Sequence, residues 1–323
     1  MSSAVEPSPA PTWVQGCWIL SGPTASGKTE VGVALACLLG ADIVSLDSMA
    51  LYRRLDIGTA KPSAQQRRLV PHHLLDVLEP HQEASVAWYL QQAEQAVAAI
   101  RRRGRVPLFV GGTPLYLVAL LRGLSTGPPP DPQLRRRLHQ QAQQQGPQAL
   151  HAQLAQVDPH AAARLHPNDL RRVIRALEFY HRTGRPISQV QQHFHRPRAP
   201  GRVHAFVLQW PRQVLYRRID QRVLQMLGRG WVEEVRGLLE QNALGPTARQ
   251  AVGYREIIQH LEGHLDYEEM VRRIQQRTRR YAKHQLTWFR RLQECIGVPV
   301  AEHDSPQQLA QRILHLAQNK PSG

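Results

Sequence analysis

Short apolar runs alternate with amphipathic stretches through the first part of the chain. Three runs are continuously apolar and end in turn-forming residues, as buried strands do: CWILSG, ADIVSLDS and VPLFVGGT. Three other stretches carry apolar residues at helical spacing: TEVGVALACLLG, SVAWYLQQAEQAVAAIRRRG and PLYLVALLRGL. Apolar strands that alternate with helices predict an α/β fold, with a parallel sheet covered by helices on both faces.

The pattern changes after the third helix. The run STGPPPDP has the composition of a linker, and from Gln133 to about Pro200 no segment has a strand pattern. Helical runs such as PQLRRRLHQQAQQQG and DLRRVIRALEFYHRTG predict an all-helical insertion there. The run RVHAFVLQW then predicts a strand that returns to the sheet, and three helices follow it: RQVLYRRIDQRVLQMLGRG, WVEEVRGLLEQ and YEEMVRRIQQRTRRYAKHQLTWFRRLQ.

These changes in texture predict the domain boundaries. The core is divided in two by the insertion, with a short segment at each end expected to be disordered. The predicted ranges are a lead-in at 1–16, the first part of the core at 17–125, the helical insertion at 126–200, the return strand and C-terminal helices at 201–316, and a tail at 317–323.

Basic residues outnumber acidic ones by a wide margin. The 323 residues include 41 Lys and Arg against 25 Asp and Glu, a formal net charge of +16, and the sequence pI is about 10.7. A solvated basic surface is the plain alternative, but a surplus of this size favours a polyanionic partner such as nucleic acid.

Other features of the sequence bear on the cellular compartment of the protein. No window approaches ~18 consecutive apolar residues, so we expect no membrane span, and the N-terminus lacks the pattern of a secretory signal. The three cysteines, Cys17, Cys37 and Cys295, are far apart. That spacing suits a reducing compartment and argues against a disulfide framework or a zinc site. We therefore predict a cytoplasmic protein.

The first apolar run leads into a glycine-rich loop, GPTASGKT. Its spacing, G-x-x-x-x-G-K-T, is met by Gly22, Gly27, Lys28 and Thr29. Such a loop turns backbone N–H groups onto phosphate oxygens at the positive end of a helix. The lysine adds a point charge, and the threonine hydroxyl holds Mg²⁺. The loop predicts a phosphate site but does not name the phosphorylated ligand.

Asp47 follows the second predicted strand, in SLDSMALYR. Ligands bind at the carboxyl ends of parallel strands in open α/β sheets. From the residues alone, Asp47 is a Mg²⁺ ligand, a general base or the N-cap of a following helix. The third strand ends in FVGGT without an acid, so the water-activating machinery of a conventional ATPase is not visible.

The motifs in combination resemble those of the bacterial tRNA dimethylallyltransferases. The resemblance runs from about Trp18 to about Arg291. The segments that carry it are GPTASGKT, LDSMALYRRLDIGTAKPS, PHHLLD, VGGTPLYLVALLRGL, HPNDLRRVIRALEFYHRTGRPIS and RQAVGYREI. The resemblance implies a P-loop NTPase-like core. It also implies transfer of the dimethylallyl group of dimethylallyl diphosphate to N6 of adenosine 37, beside the anticodon, in tRNAs that read codons beginning with U. Mg²⁺ is the implied cofactor.

The resemblance also implies roles for individual residues. Asp47 would accept a proton from the adenine amine, and Thr113 and Lys28 would complete the catalytic set. Arg217 stands beside Arg218, which leaves the register of the diphosphate-binding arginine open by one residue. The implied diphosphate-binding residues are Gly22, Pro23, Thr24, Ala25, Ser26, Gly27, Lys28, Thr29 and Arg218, and Thr29 would also hold Mg²⁺.

Contacts to tRNA are implied for four further segments. They comprise Asp47, Ser48, Met49, Ala50 and Thr113; Arg135; Arg171, Arg172, Val173, Ile174 and Arg175; and Gln250, Ala251, Val252, Gly253, Tyr254 and Arg255. Relatives often carry a polar residue in place of Ala50, which puts a side-chain contact there in doubt. Between Val271 and Leu292, basic residues without acids predict a track for tRNA phosphates. Helical spacing favours the core for the aromatics among them.

Three other functions remain open at this stage. An isopentenyltransferase acting on free adenine nucleotides would share the loop and Asp47 but not need the arginine-rich helices. A P-loop kinase of a small molecule and a non-catalytic RNA-binding NTPase are the others. Eukaryotic relatives carry a C-terminal zinc finger, and the absence of a Cys/His cluster here favours the bacterial form. A monomer is sufficient for the chemistry.

Overall fold

The computed structural model describes residues 11–124, 127–190 and 203–319. Contacts divide these residues into two compact units. An α/β unit contains 12–121 and 203–319, and a helical unit contains the described residues from 122 to 190. The helical unit thus begins four residues before the predicted boundary at 126, and the predicted end at 200 lies outside the described residues.

All six strands found in the described part of the α/β unit belong to one parallel sheet. They are β1 (Trp18–Ser21), β2 (Ala41–Ser45), β3 (His72–His73), β4 (Val106–Gly111), β5 (His204–Gln209) and β6 (Ile296–Pro299). Their order across the sheet is β3-β2-β4-β1-β5-β6. Because β1 lies between β4 and β5, the loop that follows β1 emerges at the middle of the sheet.

Helices precede and follow these strands. In the α/β unit they are α1 (Lys28–Leu39), α2 (Ala64–Leu69), α3 (Val86–Arg102), α4 (Pro114–Arg122, which ends at the unit boundary), α10 (Arg212–Gly228), α11 (Trp231–Glu240), α12 (Pro246–Arg249), α13 (Tyr254–Leu261), α14 (Tyr267–Phe289) and α15 (Pro306–Gln318). In the helical unit they are α5 (Pro132–Gln145), α6 (Pro147–Val157), α7 (Pro159–Ala162), α8 (Leu170–Thr183) and α9 (Ile187–Val190).

The apolar strand pattern produces the core of the α/β unit. All five residues of β2 are buried, and α1 contributes Val31 and Leu35 to the same apolar cluster as Leu309 and Ile313 of α15. Gly40 ends α1 with a positive φ of 60°, a conformation that glycine adopts without steric cost. The chain can therefore enter β2 directly after the helix.

The helical unit has a separate core. Leu150 and Leu154 of α6 are fully buried beside Val173 and Phe179 of α8. Helix α8 is strongly amphipathic in sequence, because apolar residues recur every three or four positions between arginines. This pattern explains why a region without strands still forms a compact unit.

The predicted order of elements is largely confirmed. The strands predicted from CWILSG, ADIVSLDS, VPLFVGGT and RVHAFVLQW are β1, β2, β4 and β5. Strands β3 and β6 were not predicted, because each is short and lies at an edge of the sheet. Prediction of a disordered lead-in was wrong for 12–16, since Thr12–Val14 forms a 3₁₀ turn and Val14 is buried. Helix α15 also continues to Gln318, into the predicted tail. Residues 1–10 and 320–323 lie outside the described part.

A buried carboxylate supports the start of β2. Asp42 is fully buried and accepts hydrogen bonds from His73 Nε2 (3.0 Å), Arg103 Nη2 (2.7 Å) and Arg105 Nε. Burial by itself raises the pKa of Asp42. Hydrogen bonds from His73 and Arg105 and the charges of Arg105 and Arg103 outweigh burial and hold this pKa below its ordinary value.

We expect Asp42→Asn to lower the free energy of unfolding by about 3 kcal/mol, because it leaves the two arginines without a buried counter-charge. Urea denaturation followed by circular dichroism measures the loss. The folded-state pKa of Asp42 is depressed, so its stabilisation is present above the ordinary Asp pKa and disappears as the pH falls through the folded value.

The matched control for this variant is Glu302→Gln, which breaks the exposed pair between Arg217 and Glu302. Exposed pairs contribute less than about 1 kcal/mol, so the control should unfold almost like the parent protein. Equal losses in the two variants would contradict the role given to Asp42.

Candidate active site

The loop between β1 and α1 has its carbonyl groups bound by side chains of the α/β unit. Three carbonyls each accept a hydrogen bond from a side chain: Pro23 O from Lys28 Nζ (3.1 Å), Ala25 O from Arg218 Nε (3.0 Å) and Ser26 O from Trp210 Nε1 (2.9 Å). These bonds hold the loop by its acceptors, while the amides where the loop enters α1 remain for a ligand.

Two left-handed residues direct the loop into α1. Ala25 has a φ of 62° and Gly27 a φ of 81°, and α1 begins directly afterwards at Lys28. The amides of Gly27, Lys28 and Thr29 donate to no acceptor among the described residues, as expected for the first turn of a helix. Free amides at the positive end of a helix form an anion site.

Hydrogen bonds join the carboxyl ends of β2 and β4. Leu46 N donates to Val110 O (2.8 Å), Thr113 N donates to Leu46 O (3.1 Å) and Ser48 N donates to Thr113 Oγ1 (3.0 Å). A Cβ on Gly111 would lie 2.3 Å from the Leu46 carbonyl carbon. Only glycine permits this approach, which accounts for the first glycine of VGGT.

Asp47 lies at this junction and lines the same pocket as the loop. Its Oδ1 accepts from the amides of Met49 (2.9 Å) and Ala50 (3.4 Å). Its carboxylate therefore caps a turn, whereas the next helix, α2, begins only at Ala64. Oδ2 accepts no hydrogen bond from the described residues, which leaves one carboxylate oxygen for a ligand.

The pocket has a volume of ≈ 830 Å³ and extends from the loop and Asp47 to α10 and α14. Polar side chains at helical spacing line it along α10 and the residue that caps this helix: Arg218, Arg222, Gln225 and the cap Arg229. Sequence analysis proposed only the first of these. The spacing i, i+4, i+7 and i+11 is the signal that could have identified the other three.

Arg217 and Arg218 lie in different surroundings. The Arg218 guanidinium contacts the loop through Ala25 O and stacks 4.4 Å from the centroid of the Trp210 ring. Arg217 Nη2 instead pairs with Glu302 at 2.7 Å, and both of those side chains are largely exposed. Of the two registers left open by the sequence, the structure puts Arg218 at the phosphate loop.

Positive charge is concentrated in the pocket. Burial, followed by the charge of the Arg222 guanidinium, lowers the pKa of Lys28 to about 8 against smaller opposing effects of Asp47 and Glu30. Burial likewise lowers the pKa of Arg222, which has no hydrogen-bond acceptor among the described residues. A site that disfavours its own cations in this way is suited to an anion.

Gln285 of α14 is a site residue that sequence analysis did not identify. Its Oε1 accepts from Thr24 N of the loop (2.8 Å), and its Nε2 donates to Gly112 O (2.7 Å). Its side chain is buried. The nearest sequence signal is its position one helical turn after Tyr281, which also lines the pocket.

The residues present fit a Mg²⁺ ion bound together with a phosphorylated ligand. Thr29 lines the pocket in the first turn of α1, and its hydroxyl makes no hydrogen bond to the described part of the chain. Mg²⁺ usually takes few protein ligands and keeps waters and phosphate oxygens. One hydroxyl beside free amides is consistent with that coordination.

In the helical unit, two of the proposed tRNA-binding arginines share one carboxylate. Glu178 is fully buried and accepts from Arg135 Nε and Nη2 (both 2.9 Å) and from Arg175 Nη1 (2.6 Å). The side chains of Arg135 and Arg175 are 39% and 33% exposed. Arg171 and Arg172 are exposed on the same helix, α8.

Several residues of the proposed tRNA-contacting segments are buried. Val173 and Ile174 lie in the core of the helical unit because their side of α8 packs inward. Gly253 and Tyr254 pack against Trp231, and Ala50 is 5% exposed. The side chains of these residues are therefore covered by the protein itself, whereas Gln250 and Arg255 are exposed.

The predicted basic track on α14 is partly neutralised. Arg272 and Arg273 pair with Glu269, Arg277 pairs with Glu256 and Arg279 pairs with Asp220. These acids precede residues 271–292 in the sequence and lie on the first turn of α14 or on other helices. Arg280 and Lys283 stay exposed. Of the aromatics expected in the core, Phe289 is buried, but Tyr281 lines the pocket.

No helix in the described ranges is both long enough and apolar enough to cross a lipid bilayer.

Comparison with known proteins identifies the family. A family model described as IPP transferase matches residues 50–292, and a second, described as isopentenyl transferase, matches the shorter stretch 15–71. The tRNA dimethylallyltransferase of Thermomicrobium roseum is 47% identical over 296 residues, which cover 91% of this chain and 89% of that protein. That of Desulforudis audaxviator is 47% identical over 299 residues, covering 92% and 96%.

Solved structures agree with these matches. The tRNA isopentenylpyrophosphate transferase of Bacillus halodurans is 36% identical and superimposes with a TM-score of 0.69, covering 94% of this chain and 96% of that one. A eukaryotic dimethylallyltransferase acting on tRNA is 26% identical with a TM-score of 0.78, covering 94% and 78%. The resemblance inferred from the motifs is confirmed, and the chain belongs to the tRNA dimethylallyltransferase family, the IPP transferases.

Proposed function

We propose that this protein transfers the dimethylallyl group of dimethylallyl diphosphate to N6 of adenosine 37 in tRNAs reading codons that begin with U. Its relatives, 44–48% identical over most of the chain, are named tRNA dimethylallyltransferase. The observation that carries the chemistry is a single pocket containing both a phosphate cradle and the free oxygen of Asp47. We further propose that it acts as a monomer in the cytoplasm.

The cradle binds the leaving group in this proposal. The C–O bond between the allylic carbon and the diphosphate breaks, and negative charge develops on the diphosphate oxygens. The amides of Gly27, Lys28 and Thr29, together with the cations of Lys28 and Arg218, stabilise that charge. Mg²⁺ bound with the diphosphate at Thr29 would neutralise further charge on it. The groups that bind the donor are thus the same groups that favour departure of the diphosphate.

Asp47 serves the acceptor. The exocyclic amine of adenine is a weak nucleophile because its lone pair is delocalised into the ring. As the N6–carbon bond forms, Oδ2 of Asp47 accepts the N6 proton, while Oδ1 remains bonded to the Met49 and Ala50 amides. Those amide bonds fix the carboxylate so that its free oxygen keeps one direction.

The tRNA requires a larger surface than this pocket. A base in the anticodon loop must leave its stack before N6 can react, and loops are recognised through splayed bases and phosphate contacts. Exposed arginines of α8, with Arg135 and Arg175 paired to Glu178, are suited to phosphate binding. This unit supports the choice of an RNA acceptor over a free nucleotide.

The experiment that tests the function is mass spectrometry of nucleosides from unmodified tRNA after incubation with the protein, dimethylallyl diphosphate and Mg²⁺. N6-isopentenyladenosine at position 37 is expected. Parallel reactions with AMP, ADP and ATP test the alternative function, an isopentenyltransferase that acts on free adenine nucleotides. The match of residues 15–71 to the isopentenyl transferase model is the reason for including them. Phosphate transfer from ATP without use of the allylic donor would instead indicate a kinase.

Asp47→Asn should reduce turnover by roughly 10²–10⁴, the usual effect of removing a general base. Asparagine keeps an oxygen for the Met49 and Ala50 amides, so donor and tRNA affinities should change little. Single-turnover kinetics with filter-binding measurements separate these quantities. Turnover within threefold of the parent protein would contradict the role of Asp47.

Arg218→Ala should weaken dimethylallyl diphosphate binding by about 10- to 100-fold, because it removes a charge-assisted hydrogen bond to the diphosphate. Arg217→Ala is the matched control from the adjacent position and should remain within twofold. Isothermal titration calorimetry measures both affinities. A larger effect at Arg217 would reverse the register.

Donor binding should weaken above pH 8. Lys28 is largely protonated below its pKa of about 8. In that range its charge is constant, so Lys28 does not make the donor affinity depend on pH. Above that pH the free protein loses the charge. A bound anion restores the charge by raising the pKa, so binding takes up a proton and affinity falls by up to about tenfold per pH unit.

The control for this pH dependence is Lys28→Arg, which stays charged throughout the range. Calorimetry in buffers of different ionisation enthalpy measures the proton uptake. The parent protein and the variant should differ in the slope of affinity against pH. Identical slopes would show that Lys28 keeps its proton in the free site.

A further inference from the structure

A buried carboxamide joins the two halves of the candidate active site. Gln285 accepts the amide hydrogen of Thr24 in the phosphate loop and donates to the carbonyl of Gly112 in the turn after β4. Thr24 and Gln285 are 261 positions apart in the chain. Through this side chain, α14 contacts the donor side and the acceptor side of the site at once.

The geometry permits only one orientation of the side chain. Thr24 N is solely a donor and Gly112 O is solely an acceptor, so the oxygen of the carboxamide must face Thr24 and its nitrogen must face Gly112. A carboxylate would satisfy Thr24 alone, and an aliphatic side chain would satisfy neither. Of the natural side chains of this length and shape, only glutamine makes both bonds.

The contact between Gln285 and the turn at Gly112 leaves no space for a side chain at Gly112. A Cβ on Gly112 would lie 2.8 Å from Gln285 Nε2, 2.9 Å from Gly22 O and 3.2 Å from Lys28 Cε. The glycine turn therefore lies directly against the phosphate loop, and Gln285 fills the position between them. This contact gives the second glycine of VGGT a role as specific as that of Gly111.

The polarity of Gln285 is unusual for its helix face. The other buried residues of α14 are Met270, Ile274, Ala282 and Phe289, all apolar. A buried polar side chain is unfavourable unless its hydrogen bonds are made. Here both bonds go to backbone groups of the site, so the benefit of the glutamine lies in the position of those backbone groups.

We infer that Gln285 is a positioning residue, which holds the diphosphate cradle at a fixed separation from the Gly111–Thr113 turn and hence from Asp47. The inference rests on the proposed function, because it assumes that the cradle binds a diphosphate. Gln285 contacts neither reactant in this account. It acts by keeping the loop amides converged and by fixing where the departing diphosphate lies relative to the attacking amine.

The variant Gln285→Glu distinguishes a positioning role from a merely structural one. When protonated, the introduced carboxyl both donates and accepts, as glutamine does; when ionised, it leaves Gly112 O without a donor and repels the diphosphate. Ionisable groups that line the same pocket as Gln285 include Lys28 of α1, Asp47 after β2, Arg218 and Arg222 of α10 and Tyr281 of α14. Burial raises the pKa of a carboxyl, so its ionisation is expected above the usual range for Glu.

The probe is inorganic pyrophosphate with Mg²⁺, titrated calorimetrically between pH 5.5 and 8.5. We expect the ratio of the Gln285→Glu dissociation constant to the parent constant to be near one at the acid end and to exceed ten at the alkaline end. Taking the ratio at each pH removes the titration of pyrophosphate itself. Gln276→Glu, an exposed position of α14, is the matched control and should give a ratio near one throughout.

Turnover provides the second measurement. At pH 7.5, Gln285→Leu should reduce kcat by at least tenfold with the KM for tRNA within threefold, and circular dichroism checks that the variant is folded. A pH-independent ratio for Gln285→Glu, or an unchanged kcat for a folded Gln285→Leu, would overturn the positioning role. Failure of the parent protein to bind pyrophosphate at all would instead overturn the proposed function.

Discussion

The site depends on hydrogen bonds that hold the phosphate loop by its carbonyl groups. The backbone of a glycine-rich loop carries both donors and acceptors, and the loop alone does not determine which of them face a ligand. Here the acceptors are bound by Lys28, Arg218 and Trp210. The amides at the start of α1 are consequently left for an anion. Two of the three side chains come from β5–α10, beyond the helical unit in sequence, so the loop acquires its direction only when the chain returns to the sheet.

This arrangement concentrates cations before any ligand is present. Burial is the main cause of the lowered pKa of both Lys28 and Arg222. Repulsion by neighbouring cations adds to it, from Arg222 in the case of Lys28 and from Arg229 and Arg218 in the case of Arg222. The repulsion is relieved when an anion enters, so part of the binding free energy comes from the site itself. A preorganised charge distribution of this kind stabilises developing negative charge without rearrangement during the reaction, which suits a step in which a diphosphate departs.

Sequence patterns predicted the elements that are long or carry a motif, and missed those defined by tertiary contacts. The strands β1, β2, β4 and β5 are mostly apolar and were predicted, whereas β3 has two residues and β6 contains Gly297 and ends at Pro299. Gln285 carries no motif, and its importance arises from a contact across the fold. The acids that pair with four of the five α14 arginines likewise lie outside residues 271–292.

The same limit applies to the helical unit, where sequence alone treats each arginine as an independent positive charge. Glu178 couples Arg135 to Arg175, because its one buried carboxylate accepts hydrogen bonds from both guanidinium groups and also from the Asp131 amide. Two cations and one anion leave a single net positive charge, but both guanidinium groups keep partly exposed N–H donors in fixed directions. Loss of the carboxylate would leave the charge higher and the geometry undefined. If fixed donors rather than total charge determine phosphate contact, affinity for RNA depends on Glu178 even though its own charge opposes binding.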